Sequence, residues 1–304
     1  MSRTPVSVQL LRLLSHVPLP VSHCIGRTLG WLLSWVPSRA RVSALTNLRL
    51  CFPHMSEADR NRLWRRAMMQ LGCLVMESGR VWLGSPEQVL KSVREVHGET
   101  HIQQALAGGR GVIIAAPHLG CWEMVNYYLS SRYPLTAMYR PQAGAVDQVI
   151  LDSRERMGAT LVPADRRGVR ALSAALKRDE LIGILPDQDP GAGGVFVDFF
   201  GVSAHSPVLL SKLANKSGAQ VILAYAARLP GGRGFDLHFR LGSPVISDVD
   251  VSTATAALNR DVEACIREIP DQYLWTYRRF RRRPPGEPAI YPRRRRKKKR
   301  AAPS

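Results

Sequence analysis

Paired cysteines, acidic residues and long apolar runs are all scarce in this chain, and each shortage narrows its possible chemistry. Cys24, Cys51, Cys73, Cys121 and Cys265 are scattered, with no Cys-x-x-Cys pair. That spacing argues against a disulfide framework or a thiolate zinc site and suits a reducing compartment. No Gly-x-Ser-x-Gly elbow is present, so the chain offers no activated serine of the hydrolase kind. The apolar segment Val8 to Trp35 is broken: its longest stretch without Arg, Lys, Asp or Glu is Leu13 to Gly26, fourteen residues. A spanning helix needs roughly 20, and Pro18 and Pro20 interrupt this one. Nor does it carry the small-residue cleavage pattern of a signal peptide. Two membrane readings stay open, a helical hairpin or kinked helix lying in the interface and a poor single span reaching towards Val36; the first is favoured. A soluble packing helix is the third.

Acids number 24 against 43 Lys+Arg, a formal net charge of +19, which calls for a negatively charged partner. Thirteen of the basic residues fall between Arg278 and Arg300, against the single acid Glu287. Such a run suits nucleic acid, anionic headgroups or an acidic protein face. Beside a membrane-seeking N-terminus, the lipid surface is the simplest target. Arg278, Arg279 and Arg281 differ from the run because aromatic residues interleave them. The segment beyond Pro284, rich in Pro, Arg and Lys, has too little apolar surface to pack and is expected to be a disordered basic tail.

The rest is globular in texture. Ser56 with Asp59 three residues on is a helix-start signal, and Leu63, Trp64, Ala67, Met68, Leu71, Leu74 and Val75 recur at helical spacing. The spacing predicts an amphipathic helix over about Glu57 to Trp82. From Val96 onward short apolar strands alternate with helices. This predicts an α/β fold, a mostly parallel or mixed sheet flanked by helices, with the N-terminal helical segment associating with the membrane. Three regions are expected: anchor 1–40, catalytic domain 41–284 and tail 285–304.

The chemistry concentrates in Val112 to Glu123, where the strand VIIAA runs into Pro117-His118-Leu119-Gly120 and then Cys121-Trp122-Glu123. On one helix, His118 and Glu123 would be separated by about 140° of rotation. With His118 in the strand-to-helix turn and Glu123 in the first helical turn, the carboxylate can fold back to the imidazole. A histidine held by a carboxylate is a general base. Without a serine nucleophile, the hydroxyl it activates belongs to the substrate. A lone His/Glu pair is a weak signal, more often a plain hydrogen bond. Its place at the carboxyl end of a strand is what raises it, because open α/β sheets form their crevices there. No His/Asp cluster has ligand spacing, so no metal is expected, and His97, His101 and His205 read as structural.

GRGVIIAAPHLGCWE resembles the first block of the glycerolipid acyltransferase superfamily, and more narrowly that of the lipid A late acyltransferases. NLRLCFP (Asn47 to Pro53), MYRP (Met138 to Pro141), LPDQD (Leu185 to Asp189), VFVDFFG (Val195 to Gly201) and DQYLWTYRRFRRRPPG (Asp271 to Gly286) match further family segments in order. Phospholipid-making members carry Asp in the first block and Phe-Pro-Glu-Gly-Thr in the third, so Glu123 and LPDQD favour the lipid A branch. The resemblance implies direct transfer of a fatty acyl group from the thioester of acyl carrier protein to a hydroxyl of a lipid A precursor. His118 and Glu123 would be the catalytic pair, no further cofactor would be needed, and the enzyme would work on the cytoplasmic face of the inner membrane. It implies an anionic lipid acceptor and no nucleic acid. Arg140, Arg154, Arg156, Asp187 and Asp189 are the expected substrate-binding residues: Arg140 for a phosphate or the thioester carbonyl, Arg154 or Arg156 for a headgroup, the aspartates for positioning the acceptor. The alternatives are a phospholipid or glycolipid acyltransferase of the same superfamily, or a non-enzymatic basic protein that binds membrane or nucleic acid.

Overall fold

The computed structural model describes residues 5–140 and 144–292. Two helices open the chain, α1 (Val6–Ser15) and α2 (Leu19–Ser34). They are separated at Pro18, whose missing N–H is tolerated ahead of a first helical turn. None of the described helices is long and apolar enough to cross a membrane, so the single-span reading of the N-terminus is not supported; α2 is only about 24 Å long at 1.5 Å per residue. Then follow α3 (Arg39–Cys51), α4 (Glu57–Leu83) and α5 (Pro86–Leu90). The predicted long helix is α4, and Ser56 caps it by accepting from the Asp59 N–H.

The remainder runs β1 (Val93–His97), α6 (Glu99–Ala107), β2 (Val112–Ala115), α7 (Trp122–Ser130), β3 (Leu135–Tyr139), α8 (Val146–Arg156), β4 (Ala159–Pro163), α9 (Arg166–Leu176) and β5 (Leu181–Ile184). A hairpin β6 (Gly194–Phe199) and β7 (Val202–Pro207) follows, then α10 (Leu209–Ser217), β8 (Gln220–Arg228), β9 (Phe235–Leu241) and α11 (Val251–Glu268). Seven strands form one mixed sheet in the order β1-β9-β8-β2-β5-β3-β4. The five from β8 to β4 are mutually parallel, and β9 runs antiparallel to β8.

Side-chain alternation along the central strands builds two cores, one per sheet face. Ile113 and Ala115 of β2 join Leu63 and Trp64 of α4 with Leu172, Leu210 and Leu258. Val112 and Ile114 join Ile102, Val125, Tyr127 and Leu129 on the other face. Fully covered parallel strands of this kind read as continuous apolar runs, as VIIAA does.

Helix α2 is fused to α4 by backbone contact. A Cβ at Gly26 would lie 2.6 Å from the Gly72 carbonyl group, and one at Gly72 would lie 2.0 Å from the Gly26 oxygen. Beside that contact, His23 Nε2 meets Glu77 Oε2 at 2.7 Å, and Glu77 receives both Nε and an Nη of Arg228 at 2.7 and 2.6 Å. At the other end of the chain the body extends past the expected boundary at Pro284. Tyr291 is buried, its hydroxyl donates to Asn47 Oδ1 and it accepts the Phe280 N–H. One aromatic ring thus secures a stretch whose composition reads as unpackable. Arg293 to Arg300 lie outside the described residues.

Candidate active site

Strand β2 is the middle strand of the sheet, and His118 follows its carboxyl end. Gly120 makes the turn possible: its φ is +62°, and a Cβ there would lie 1.9 Å from the Ala226 carbonyl oxygen, so only glycine fits. That carbonyl accepts the Cys121 N–H, the Gly120 N–H donates to the Gln272 carbonyl and the Leu274 N–H donates to the His118 carbonyl. The turn is held on both sides.

The acid that braces the imidazole is Asp187, not Glu123. Asp187 follows β5, the strand beside β2, and one of its oxygens lies 2.9 Å from His118 Nδ1 while the other accepts the His118 backbone N–H at 3.2 Å. Asp187 is 2% exposed. Burial alone would raise its pKa, but the charge and hydrogen bonds of His118 hold it below the usual carboxylate value. An ionised Asp187 can only accept, so Nδ1 carries the proton and Nε2 presents a lone pair. That nitrogen lies 3.2 Å from the Gln188 side-chain amide. The Trp122 ring packs edge-on against the imidazole, its centroid 5.0 Å away. The His118 side chain remains 16% exposed, within reach of a substrate.

Glu123 is taken by another partner. Arg154, on α8, donates Nε and Nη2 to its two oxygens at 3.0 and 2.6 Å, the two-pronged geometry of a strong arginine–carboxylate pair. Burial would lower the Arg154 pKa, but Glu123 more than reverses this and holds it above its ordinary value. Glu123 is 6% exposed. The expected His118–Glu123 pair is therefore replaced by two pairs, His118–Asp187 and Glu123–Arg154. Arg156 is exposed, and its Nη2 donates to the carbonyls of Trp82 and Gly84 at the end of α4.

Asp189 anchors the C-terminal segment. Its carboxylate accepts from the Gly191 N–H, contacts His205 Nδ1 at 3.0 Å, and pairs with Arg281 at 2.7 Å and Arg282 at 3.3 Å. Burial opposes its charge, but Arg281 and His205 pull its pKa down to about 2. His205 thus has a partner that its sequence position did not reveal. Arg279, interleaved with aromatics as noted, is buried; it donates to the His205 carbonyl and Ser206 Oγ and lies over the Phe199 ring. Arg140 is exposed at the carboxyl end of β3. His118, Asp187 and Arg140 consequently share one edge of the sheet, on the adjacent strands β2, β5 and β3. Signals for Asp187 were present, an acid two residues after an apolar run, but β5 could not be known to lie beside β2.

A narrow apolar crevice opens at this turn, lined by Trp64, Met68, Leu71, Gly120, Trp122 and Trp275 among others. It lies between α4 and the loop 271–276. Met124, Val125, Tyr127, Tyr128 and Leu129 of α7 are buried in the core. Cys121 is also buried, which raises its thiol pKa well above the ordinary value, so it supplies no thiolate. The one set of described residues close enough to share an ion, Glu95, His97 and Asp236, belongs to β1 and β9 at the opposite side of the sheet order from β5.

Comparison with known proteins adds the last element. Residues 4–282 match the family described as bacterial lipid A biosynthesis acyltransferase. The chain is 32% identical over 294 residues to the lipid A biosynthesis lauroyltransferase of Escherichia coli K12, covering 95% of this chain and 94% of that one. It is 29% identical to the palmitoleoyltransferase of the same organism, over 91% of this chain and 90% of that protein. With the E. coli myristoyltransferase the identity is 26%, over 90% and 84%. A match across nearly the whole length, on a sheet that brings an acid-braced histidine to its carboxyl edge, makes this chain a member of the bacterial lipid A biosynthesis acyltransferase family.

Proposed function

We propose that the protein transfers a fatty acyl group from the thioester of acyl carrier protein to a hydroxyl of a lipid A precursor, with His118 Nε2 as general base. The observation that carries this reading is the buried Asp187 on Nδ1, which leaves the Nε2 lone pair facing the accessible side. The acceptor hydroxyl takes the place of the Gln188 amide, Nε2 removes its proton, and Asp187 stabilises the imidazolium that forms. The oxygen attacks the thioester carbonyl, the C–S bond breaks, and the thiolate takes the proton back from His118. Backbone amides of the turn are not free to hold the oxyanion: those of His118, Gly120 and Cys121 are already engaged. Arg140, exposed at the carboxyl end of β3 two strands from β2, is the group assigned to it, and it would have to exchange its present interaction for the oxyanion. Glu123 and Arg154 position rather than react, fixing the first turn of α7 and with it Trp122 against the imidazole.

The same reading includes a membrane seat. Among the described residues, twelve of the eighteen large apolar side chains that are exposed precede residue 43, a concentration too high for an ordinary water-facing surface. Leu10, Leu13, Leu29, Leu32, Leu33 and Trp35 belong to it. The hairpin of α1 and α2 lies in the inner-membrane interface on the cytoplasmic side, with α4 behind it. The test of function is mass spectrometry of lipid A from cells with and without the gene, paired with transfer assays using purified protein and acyl carrier protein or coenzyme A thioesters. A missing secondary acyl chain and activity with the carrier-protein thioester are expected. An unchanged lipid A profile with no transfer from either thioester overturns the assignment.

A further inference from the structure

Away from the catalytic turn, an open cleft of about 840 Å³ lies beside α2, α4 and the loop after α3. It shares no lining residue with the crevice at Gly120 and Trp122. Arginines dominate it: Arg62, Arg65, Arg66 and Arg267 line it with one acid, Asp59, and the ring of Trp31. Arg62 pairs with Asp59 and Arg267 with Glu263. Arg65 and Arg66 have no carboxylate at ion-pair distance among the described residues. The Arg65 guanidinium instead lies 4.1 Å from the centre of the exposed Trp35 ring, a cation–π placement that keeps it at the margin of the apolar face of α2. Trp31 belongs to that face and to the cleft at once.

We propose that this cleft is a binding site for an anionic membrane lipid, held through its phosphate by Arg62, Arg65 and Arg66 with its chains lying along α2. The inference rests on the reading of α1 and α2 as an interfacial hairpin. The cleft has an excess of positive charge at the level where an apolar face meets water, the position a phosphate occupies above its acyl chains. An indole at the boundary suits the headgroup level, and guanidinium forks match phosphate oxygens. A free phosphate would satisfy the arginines alone and make no use of Trp31 or the adjoining apolar band.

The experiment measures partitioning of the full-length protein onto phosphatidylcholine vesicles with and without phosphatidylglycerol. Arg62→Gln/Arg66→Gln should weaken binding to the anionic vesicles about thirtyfold, from roughly a fivefold loss per basic residue near an anionic surface. Its binding to phosphatidylcholine alone and its thermal midpoint should stay unchanged. Arg166→Gln/Arg167→Gln, an equal loss of charge on exposed positions of α9, should leave the anionic preference in place. If the α9 pair loses as much, the preference is diffuse charge and the proposal falls. It falls too if the cleft pair loses nothing, or if inorganic phosphate displaces the wild-type protein from anionic vesicles at matched ionic strength. Loss of carrier-protein binding in place of vesicle binding would make the cleft a protein dock and likewise overturn it. Leu32→Glu/Leu33→Glu tests the seat separately: retained binding to phosphatidylcholine sinks the interfacial hairpin, while the arginine comparison on anionic vesicles still decides the cleft.

Discussion

At the level of single residues, the catalytic proposal turns on which atom of His118 carries its proton. Asp187→Asn keeps the shape but replaces an acceptor-only group with one that can donate to Nδ1, favouring the wrong tautomer. Turnover should fall about 10²- to 10⁴-fold with circular dichroism unchanged, and His118→Ala should fall at least as far. Steady-state assays on both variants check this; near-normal turnover in Asp187→Asn would remove Asp187 from the mechanism. Glu123→Ala has a different signature. It strands the part-buried guanidinium of Arg154, so unfolding in urea should show a loss of about 1–3 kcal/mol along with reduced activity. Arg154→Lys should not rescue the site, because a lysine cannot reproduce the two parallel hydrogen bonds.

Among the elements, the joint between α2, α4 and β8 decides how the N-terminal hairpin is carried. Burial would raise the pKa of Glu77, yet Arg228 and His23 bring it from its ordinary 4.5 down to about 2. A depressed carboxylate contributes stability that is present above its unfolded pKa and is lost as pH falls through the folded value. Denaturation profiles should therefore weaken between about pH 4.5 and pH 2, and Glu77→Gln should be less stable at neutral pH and lose this part of the acid dependence. A variant with the wild-type acid profile would show that the triad contributes no linkage. Gly26→Val introduces side-chain atoms where a Cβ alone would be 2.6 Å from the α4 backbone. It should detach α2, seen as rapid proteolysis between α1 and α3, whereas Gly108→Ala is a fair control because its φ is -82° and an added Cβ meets nothing closer than 3.5 Å.

For the molecule as a whole, the C-terminus separates an enzyme from a charge-driven binder. Removing 293–304 strips eight consecutive basic residues but spares Tyr291, so the truncated protein should fold and retain transfer activity. Ending the chain at Arg283 also removes Tyr291 from Asn47 and from the Phe280 N–H, and its thermal midpoint should drop. Equal midpoints in the two truncations would mean that the 285–292 segment contributes nothing to the fold.

Much of this architecture could be read from residue order, because helical and strand periodicities are local. The strand spans Leu135–Tyr139 and Phe235–Leu241, the cap at Ser56 and the turn around Gly120 all follow from neighbours along the chain. The family blocks identified the chemistry for the same reason, as runs of adjacent residues. What lay outside that reach was pairing at a distance. Glu123 sits five positions from His118 and Asp187 sixty-nine, yet β5 returns to lie between β2 and β3, so the remote acid arrives beside the imidazole while the near one turns to Arg154. Residue order determined which groups this protein has to work with and which short segments carry them; strand adjacency, which depends on how the whole sheet buries its two faces, decided which acid the histidine meets.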